Sequence, residues 1–358
     1  MTQRQIDVRN VPQGFARLQF CRALVSRVAA ACLGAFALAW PASASAEPLE
    51  LAFPVACEIG KTCFVQNYVD HDAGPGVRDY MCGTLTYDGH DGTDIRLPTI
   101  AAQRQGVDVL AAADGEVLRR RDDMPDVPLR AAPPGSLEGR DCGNGVVVRH
   151  ADGWETQYCH MAQGSVRVKP GEQVKAGQPV GRVGISGKAD FPHLHLTVRR
   201  HGKVVDPFAV APREGACGSG TSLWAPHLRA ALAYRQRTLL NAGFAAGPVT
   251  MEAIESGEAG AAPPTADARA LVAFVRAIGL KGGDVQRLVV TAPDGQKLVD
   301  HTAEPLDRDK AQFMLFAGTK RPAAGFAPGA YTAAYTVVQG GTAVLEESFA
   351  VTVTAGAR

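Results

Sequence analysis

The fold class is decided by residues 145–160, which read GVVVRHADGWETQYCH. Two runs rich in β-branched and aromatic residues flank an Asp152-Gly153 turn, and this arrangement is a strong β-hairpin signal. Short runs of the same kind lie at 107–118, before the hairpin, and at 194–199, after it. No helical period of apolar residues interrupts them, so we predict an antiparallel β domain over about 80–208.

The C-terminal part of the chain has a different pattern. Apolar residues recur at helical spacing over 221–241 and are followed by a linker-like stretch, GEAGAAPPT at 257–265. Alternating runs then return at 271–278, 285–290, 331–338 and 344–353. We therefore predict a mainly β protein with a short helical connector and a C-terminal immunoglobulin-like β-sandwich. The expected boundaries are a signal peptide at 1–46, the first β domain at 47–213, the connector at 214–265 and the sandwich at 266–358.

Length and composition limit the class of protein. The chain has 358 residues, of which 46% are hydrophobic and 20% charged, enough for two domains with packed cores. Its 37 Lys and Arg nearly balance its 36 Asp and Glu, which argues against a nucleic-acid-binding protein. Eight Cys and nine His stand out, and together they indicate disulfides, a metal site or both.

The first 46 residues have the features of a secretory signal peptide. Five arginines and one acidic residue precede a 13-residue apolar run, Val28–Trp40, and Ala44-Ser45-Ala46 supplies a cleavage site. The run is shorter than the roughly 18–20 residues that a membrane span needs. We therefore expect cleavage after Ala46, export to the periplasm or the extracellular medium, and no membrane association of the mature chain.

Export determines how the cysteines are interpreted. Cys21 and Cys32 are removed with the signal peptide, and six remain: Cys57, Cys63, Cys82, Cys142, Cys159 and Cys217. An even number in an oxidising compartment indicates disulfides, and six cysteines allow fifteen connectivities. Among these we expect Cys57–Cys63, Cys82–Cys217 and Cys142–Cys159. The sequence contains no C-x-x-C pair, which disfavours a thiolate zinc site.

Three segments carry residues suited to chemistry: HDGTD at 90–94, YCH at 158–160 and FPHLHL at 191–196. Side chains two residues apart on a strand share a face, so His193 and His195 can address one point. The glycine between His90 and Asp94 allows the chain to curl so that both side chains converge. Two imidazoles and one carboxylate, with a fourth position open to water, form the ligand set of a catalytic zinc ion.

Each segment alone has a simpler interpretation. An H-x-H pair arises by chance on exposed strands, a lone His160 can be a hydrogen-bonded core residue, and H-x-G-x-D can be a polar turn. Their occurrence together in one β domain of an exported chain favours a metal site. Cys159 next to His160 also suggests a nucleophilic dyad. Neighbouring residues of a strand face opposite sides, however, so we expect Cys159 to face away from the site.

Residues about 80–208 resemble the catalytic domain of the M23 family of zinc metallopeptidases, the lysostaphin-like peptidoglycan endopeptidases. The similarity rests on the motifs above and on GVDV at 106–109, AADG at 112–115, GNGVV at 143–147 and VGRVG at 180–184, in the family's order and spacing. The resemblance implies one zinc ion per chain, held by His90, Asp94 and His195. It gives the catalytic work to His160 and His193. The Cys-rich segment before Gly83 and the presence of Cys159 depart from the family pattern, and neither concerns a ligand.

On this basis we expect an exported zinc metalloendopeptidase that hydrolyses peptide cross-links of cell-wall peptidoglycan, or another peptide substrate, with zinc-activated water. His193 is expected to take a proton from the water, and His160 to help hold the water and stabilise the oxyanion. The residues leave the reverse assignment open. The alternative is a non-catalytic exported module that binds the wall or regulates another hydrolase. The complete set of five residues favours the enzyme. The sequence does not indicate a partner for the C-terminal sandwich.

Overall fold

A computed structural model describes residues 49–356. The expected signal peptide at 1–46, with Cys21 and Cys32, lies outside these residues. Within 49–356, none of the helices has the length and apolar character needed to cross a membrane.

The N-terminal half of the described chain is built on antiparallel strands. They are β1 (Phe64–Asn67), β2 (Thr93–Arg96), β3 (Asp108–Leu110), β4 (Gly115–Arg121), β5 (Asn144–Arg149), β6 (Trp154–Met161), β7 (Gln173–Val174), β8 (Pro179–Arg182), β9 (His193–Arg200) and β10 (Lys203–Val204). Eight of them form one sheet, in the order β1-β2-β9-β6-β5-β4-β7 with β10 beside β9, and β3 pairs with β8. A short helix, α1 (Ile100–Gln105), follows β2. The mainly β, antiparallel class predicted from the sequence is confirmed.

The hairpin of residues 145–160 lies at the centre of this sheet. β5 and β6 are paired with Val146 opposite Tyr158, and both residues are almost fully buried in the core together with Leu196 of β9. Burial of each such side chain contributes roughly 1.5–3 kcal/mol, so this core fixes the register of the three strands. His193 and His195 alternate with the core residues of β9 and therefore lie on its opposite face.

The C-terminal half forms a β-sandwich. Its strands are β11 (Thr238–Ala245), β12 (Ala270–Leu280), β13 (Val285–Thr291), β14 (Lys297–Thr302), β15 (Lys310–Lys320), β16 (Gly329–Gln339) and β17 (Thr342–Val353). One sheet has the order β11-β12-β15 and the other β14-β13-β16-β17. The two sheets share one core, which includes Val275, Leu288 and Tyr335. The alternating runs of the sequence correspond to β12, β13, β16 and β17, whereas β11, β14 and β15 have no counterpart among the predicted runs.

The helix predicted over 221–241 is wrong. This segment forms a single 3-10 turn, Pro226–Leu228, and then enters β11. Leu240, whose spacing suggests a helix, packs instead against Phe64 and Ile278. The pairing of β11 with β12 satisfies backbone groups along a whole strand, and this outweighs a weak local preference for helix.

The two halves of the described chain pack directly against each other. Phe64 of β1 lies in an apolar cluster with Leu240 of β11 and Ile278 of β12. The connector holds one short α-helix, α2 (Met251–Ser256), which packs against α1 and carries the buried Glu255. The sandwich therefore contacts the same edge of the first sheet that contains β1 and β2.

Three disulfides lie in the N-terminal half: Cys57–Cys63, Cys82–Cys217 and Cys142–Cys159. These are the expected pairs. Cys82–Cys217 joins residues 135 positions apart and so connects the region after β10 to the segment before β2. In the chain-entropy description, closing a loop of this length stabilises the fold by about 4–5 kcal/mol.

Candidate metal centre

β2 and β9 bring three of the predicted site residues together. Asp94 on β2 lies directly opposite His195 on β9, and His90 lies in the turn that leads into β2. Position 92 has room only for glycine, because a Cβ atom there would lie 2.5 Å from Nε2 of His195. The side chains of His90, Asp94 and His195 are almost completely buried. The H-x-G-x-D motif and the second histidine of H-x-H therefore meet at one point.

The donor atoms of His90, Asp94 and His195 form a small triangle. Nε2 of His90 is 3.2 Å from Oδ1 of Asp94 and 3.1 Å from Nδ1 of His195, and the latter two atoms are 2.9 Å apart. Tetrahedral zinc, with bonds of about 2.0–2.1 Å, needs donor atoms about 3.3 Å apart. The observed triangle differs from that geometry by only a few tenths of an ångström. The three residues therefore fit a zinc ion with one open position.

The remaining ring nitrogens of the two histidines are fixed by hydrogen bonds. Nδ1 of His90 donates to the backbone carbonyl of Tyr68 at 2.7 Å. Nε2 of His195 is 3.1 Å from one oxygen of Asp91, and the other oxygen accepts from Arg199 at 3.1 Å. Such contacts set the tautomer that leaves the opposite nitrogen available to a metal. Sequence reasoning missed Asp91, although a carboxylate next to a candidate histidine ligand is the signal that could have revealed it.

Two carboxylates make this part of the site favourable for positive charge. Burial by itself would raise the pKa of Asp94, but the neighbouring His90 and His193 and hydrogen bonds from His195 hold it well below its usual range. Burial likewise opposes the charged form of His195, yet hydrogen bonds to Asp91 and Asp94 raise the pKa of His195 to about 9. The carboxylates of Asp91 and Asp94 therefore favour a cation next to them, either a proton on His195 or a metal ion.

His160 and His193 lie beside the triangle. Their ring centroids are 4.6 Å apart, and Nε2 of His193 is 3.6 Å from Oδ1 of Asp94. Nδ1 of His160 donates to the carbonyl of Ser186 at 2.8 Å, and Nδ1 of His193 donates to that of Phe191 at 2.9 Å. Because a carbonyl oxygen can only accept, each ring keeps a lone pair on Nε2 in its neutral form. Burial lowers the pKa of both histidines, which favours this form.

The expectation that Cys159 faces away from the site is wrong. Cys159 and its disulfide partner Cys142 both line the cleft together with His160. The reason is the backbone of His160, whose φ of 63° lies in the left-handed region and breaks the alternation of the strand. Hydrogen bonds with the backbone of Cys142 and Gly184 hold this strained conformation. Since Cys159 is in a disulfide, it supplies no thiol for a nucleophilic dyad.

The five predicted residues open onto a cleft of about 650 Å³, a volume within the ordinary ~300–1,000 Å³ range of binding pockets. Residues 86–89 form one part of the rim, where the ring of the exposed Tyr87 lies 4.3 Å from that of His90. Residues 188–191 form another part. The lining also includes Ala311 of β15, so the C-terminal sandwich contributes to the same cleft.

Three ligand-type side chains with an open position, next to two neutral histidines in a cleft, form the kind of site that metal-dependent hydrolases use. The comparison with protein families agrees with this class, because residues 88–207 match the model described as "Peptidase family M23". The resemblance seen in the sequence is thereby confirmed. Residues 88–207 of the chain are thus similar to M23 peptidase domains.

Individual relatives match the same part of the chain. The cell division protein DipM of Caulobacter vibrioides is 38% identical over 130 residues, which cover 35% of this chain and 18% of that protein. The DD-carboxypeptidase/endopeptidase Mpg of Neisseria meningitidis is 34% identical over 129 residues, covering 34% and 23%. The chain thus spans less than a quarter of the length of these curated relatives. Among solved structures, a mutant catalytic domain of the M23 protein EnpA from Enterococcus faecalis is 29% identical, with 42% of this chain and 98% of that chain covered and a TM-score of 0.27.

Proposed function

We propose that this protein is an exported zinc metalloendopeptidase that cleaves peptide cross-links of cell-wall peptidoglycan. The observation that carries the proposal is the donor triangle of His90, Asp94 and His195, open to the cleft next to His160 and His193. Three protein ligands and one open position are typical of catalytic zinc sites, whereas structural sites are closed by a fourth protein ligand. The match to the M23 model and the relative named a DD-carboxypeptidase/endopeptidase support peptide hydrolysis. Two further relatives, named peptidoglycan DD-endopeptidases, support a wall substrate.

The five residues share three tasks in this proposal. His90, Asp94 and His195 hold the zinc ion, which when bound increases the acidity of a water molecule and polarises a carbonyl group. His193 accepts a proton of the attacking water at Nε2 and returns it to the nitrogen of the leaving amine. His160 presents a second Nε2 lone pair that orients the water. The carbonyl contacts at the two Nδ1 atoms keep both lone pairs available, and they serve equally if the two roles are exchanged.

Export is part of the same proposal. Disulfides form and persist in an oxidising compartment such as the periplasm or the extracellular medium, and the N-terminal half contains three of them. The signal-peptide features of residues 1–46 agree with that destination. Peptidoglycan lies outside the cytoplasmic membrane, so enzyme and substrate meet in one compartment.

The experiment that tests this function combines metal analysis with digestion of purified sacculi. The full mature chain is expected to contain one zinc ion and to release wall fragments in a reaction that a chelator stops and added zinc restores. Mass spectrometry of the fragments identifies the bond that is cut. His193→Ala is the matched control, because it leaves the three ligands in place. Bound zinc with intact sacculi would support the non-catalytic, wall-binding alternative, and a protein without zinc would contradict the metal site.

A further inference from the structure

Arg96 lies where the eight-stranded sheet of the N-terminal half meets the C-terminal sandwich. It follows Asp94 by two residues on β2, so both side chains lie on the same face of the sheet. Its cross-strand partner on β9 is His193. The side chain of Arg96 is 0% exposed, and a fully buried guanidinium requires partners for its charge and its donors.

The C-terminal half supplies two of those partners, Gln312 and Glu255. One guanidinium nitrogen of Arg96 donates to Oε1 of Gln312 on β15 at 2.9 Å and to Oε1 of Gln66 on β1 at 2.8 Å. Another donates to the carboxylate of Glu255 on α2, which also accepts from Arg276 on β12. A single buried cationic group thus joins β2 to a helix and a strand of the C-terminal half.

The same guanidinium contacts Phe191, a residue that lines the cleft. Its Cζ atom lies 4.0 Å from the centre of the Phe191 ring, in a cation–π contact. The carbonyl of Phe191 is the acceptor for Nδ1 of His193 at 2.9 Å, and the rings of these two residues are 4.6 Å apart. One continuous set of contacts therefore runs from Glu255 and Gln312 through Arg96 and Phe191 to His193.

Stability alone is a poor explanation for this buried group. Two arginines share one carboxylate, and the cost of removing such charges from water often exceeds what their attraction contributes. Apolar residues of similar volume commonly stabilise a protein as well or better at such positions. An apolar side chain cannot, however, offer hydrogen-bond donors at its edge and a flat cationic face to an aromatic ring, as a guanidinium does.

We propose that Arg96 is a positioning residue through which the C-terminal sandwich holds Phe191 and His193 in their working orientation. The sandwich also lines the cleft at Ala311 and is thus a component of the active site. The kinetic consequence rests on the proposed peptidase function, whereas the orientation of His193 is a property of the protein itself.

Arg96→Lys tests this role, because lysine keeps the charge but lacks the planar face and the fork of donors. In the full zinc-loaded protein we expect kcat on a cross-linked wall peptide to fall roughly 10- to 100-fold, with KM nearly unchanged, as for a small misplacement of a reacting group. Gln312→Ala removes only a contact made by the sandwich and should lower kcat in the same direction. The matched control is Arg237→Lys. Arg237 is partly buried in an ion pair with Asp284 of the sandwich, and neither residue lines the cleft.

Heteronuclear NMR of the histidine side chains gives a readout that does not depend on turnover. The NMR signal of the Nδ1–H tautomer of His193 should be lost or broadened by exchange in Arg96→Lys and retained in Arg237→Lys. Zinc affinity should stay the same in both variants. Wild-type kcat and an unchanged His193 tautomer in Arg96→Lys would overturn the proposal, as would an equal loss in the control. If the wild-type protein hydrolyses no peptide, the proposed function fails, and the NMR comparison alone decides whether Arg96 positions His193.

Discussion

Asp91 Oδ1 lies 3.1 Å from Nε2 of His195, while the other nitrogen of that ring, Nδ1, lies 2.9 Å from Oδ1 of Asp94. The imidazole is thus held between two carboxylates, one at the metal-binding position and one behind the ring. A carboxylate behind a histidine ligand orients the ring and strengthens its bond to the metal. In the proposed zinc site, Asp91 therefore supports metal binding through His195 without being a ligand itself.

Replacing Asp91 by asparagine should weaken zinc binding roughly 10- to 100-fold. The amide oxygen can still accept a hydrogen bond from the ring, but it lacks the negative charge. Competition with a fluorescent chelator measures the affinity, and Asp88→Asn on the same cleft is the control for a general loss of charge. Unchanged affinity in Asp91→Asn would mean that Thr197, whose hydroxyl is also 3.1 Å from Nε2 of His195, is sufficient to orient the ring.

Alanine substitutions at His195 and His193 should separate metal binding from catalysis. His195→Ala removes a corner of the donor triangle and is expected to abolish both zinc binding and turnover. His193→Ala leaves the triangle intact, so it should retain zinc and lose turnover by roughly 10²- to 10⁴-fold, the usual contribution of a general base. Zinc content and the release of wall fragments are measured on the same samples. Substantial activity in His193→Ala would transfer the role of the base to His160.

How much of this site the sequence predicts depends on how far apart along the chain the interacting residues lie. The hairpin at 145–160 and the H-x-G-x-D motif are local patterns, and both form as expected. The orientation of Cys159 is mispredicted, because the positive φ of His160 depends on backbone partners elsewhere in the fold. The contact of Arg96 with Glu255 joins residues 159 positions apart, and no local spacing encodes a pair at that separation.

A bulky residue at position 311 should obstruct the cleft from the side of the sandwich. Ala311 is exposed and lines the cleft, so the indole of Ala311→Trp would occupy space that a substrate needs. Because the position is not at the reacting groups, we expect KM to rise several-fold while kcat changes little. Ala330→Trp, at an exposed position of β16, is the matched control. Equal kinetics in the two variants would show that the substrate does not reach the sandwich.

His150 is buried and completes a chain of hydrogen bonds in the core of the first sheet. Its Nδ1 donates to the carbonyl of Asp114 at 2.7 Å, and its Nε2 is 2.9 Å from the hydroxyl of Thr156. That hydroxyl is 3.0 Å from the hydroxyl of Tyr158, which accepts from the Ala112 N–H at 2.7 Å. Because the carbonyl can only accept and the N–H can only donate, a protonated His150 would leave one hydroxyl hydrogen without an acceptor.

The stability of the protein should therefore depend on pH through His150. Burial lowers the pKa of His150 from its usual 6.5, so the folded state binds this proton less readily than the unfolded state does. Its contribution to stability is complete above about pH 6.5 and is lost as the pH falls through the folded-state pKa. Urea unfolding at about pH 7.5 and 5.5 should show a steeper loss for the wild type than for His150→Gln. The substitution changes only this side chain, so a stability difference between the two proteins that stays constant with pH would contradict the prediction.

The joint between the two halves has a practical consequence for protein engineering. Phe64 and Arg96, on the two strands nearest the sandwich, are buried beneath Leu240, Glu255 and their neighbours. A truncation at residue 213, where the sequence suggests a boundary, would expose the phenyl ring of Phe64. It would also leave the guanidinium of Arg96 without its partners Glu255 and Gln312. A chimeric protein built from this chain should therefore include both halves as one unit, with any new targeting module attached outside it.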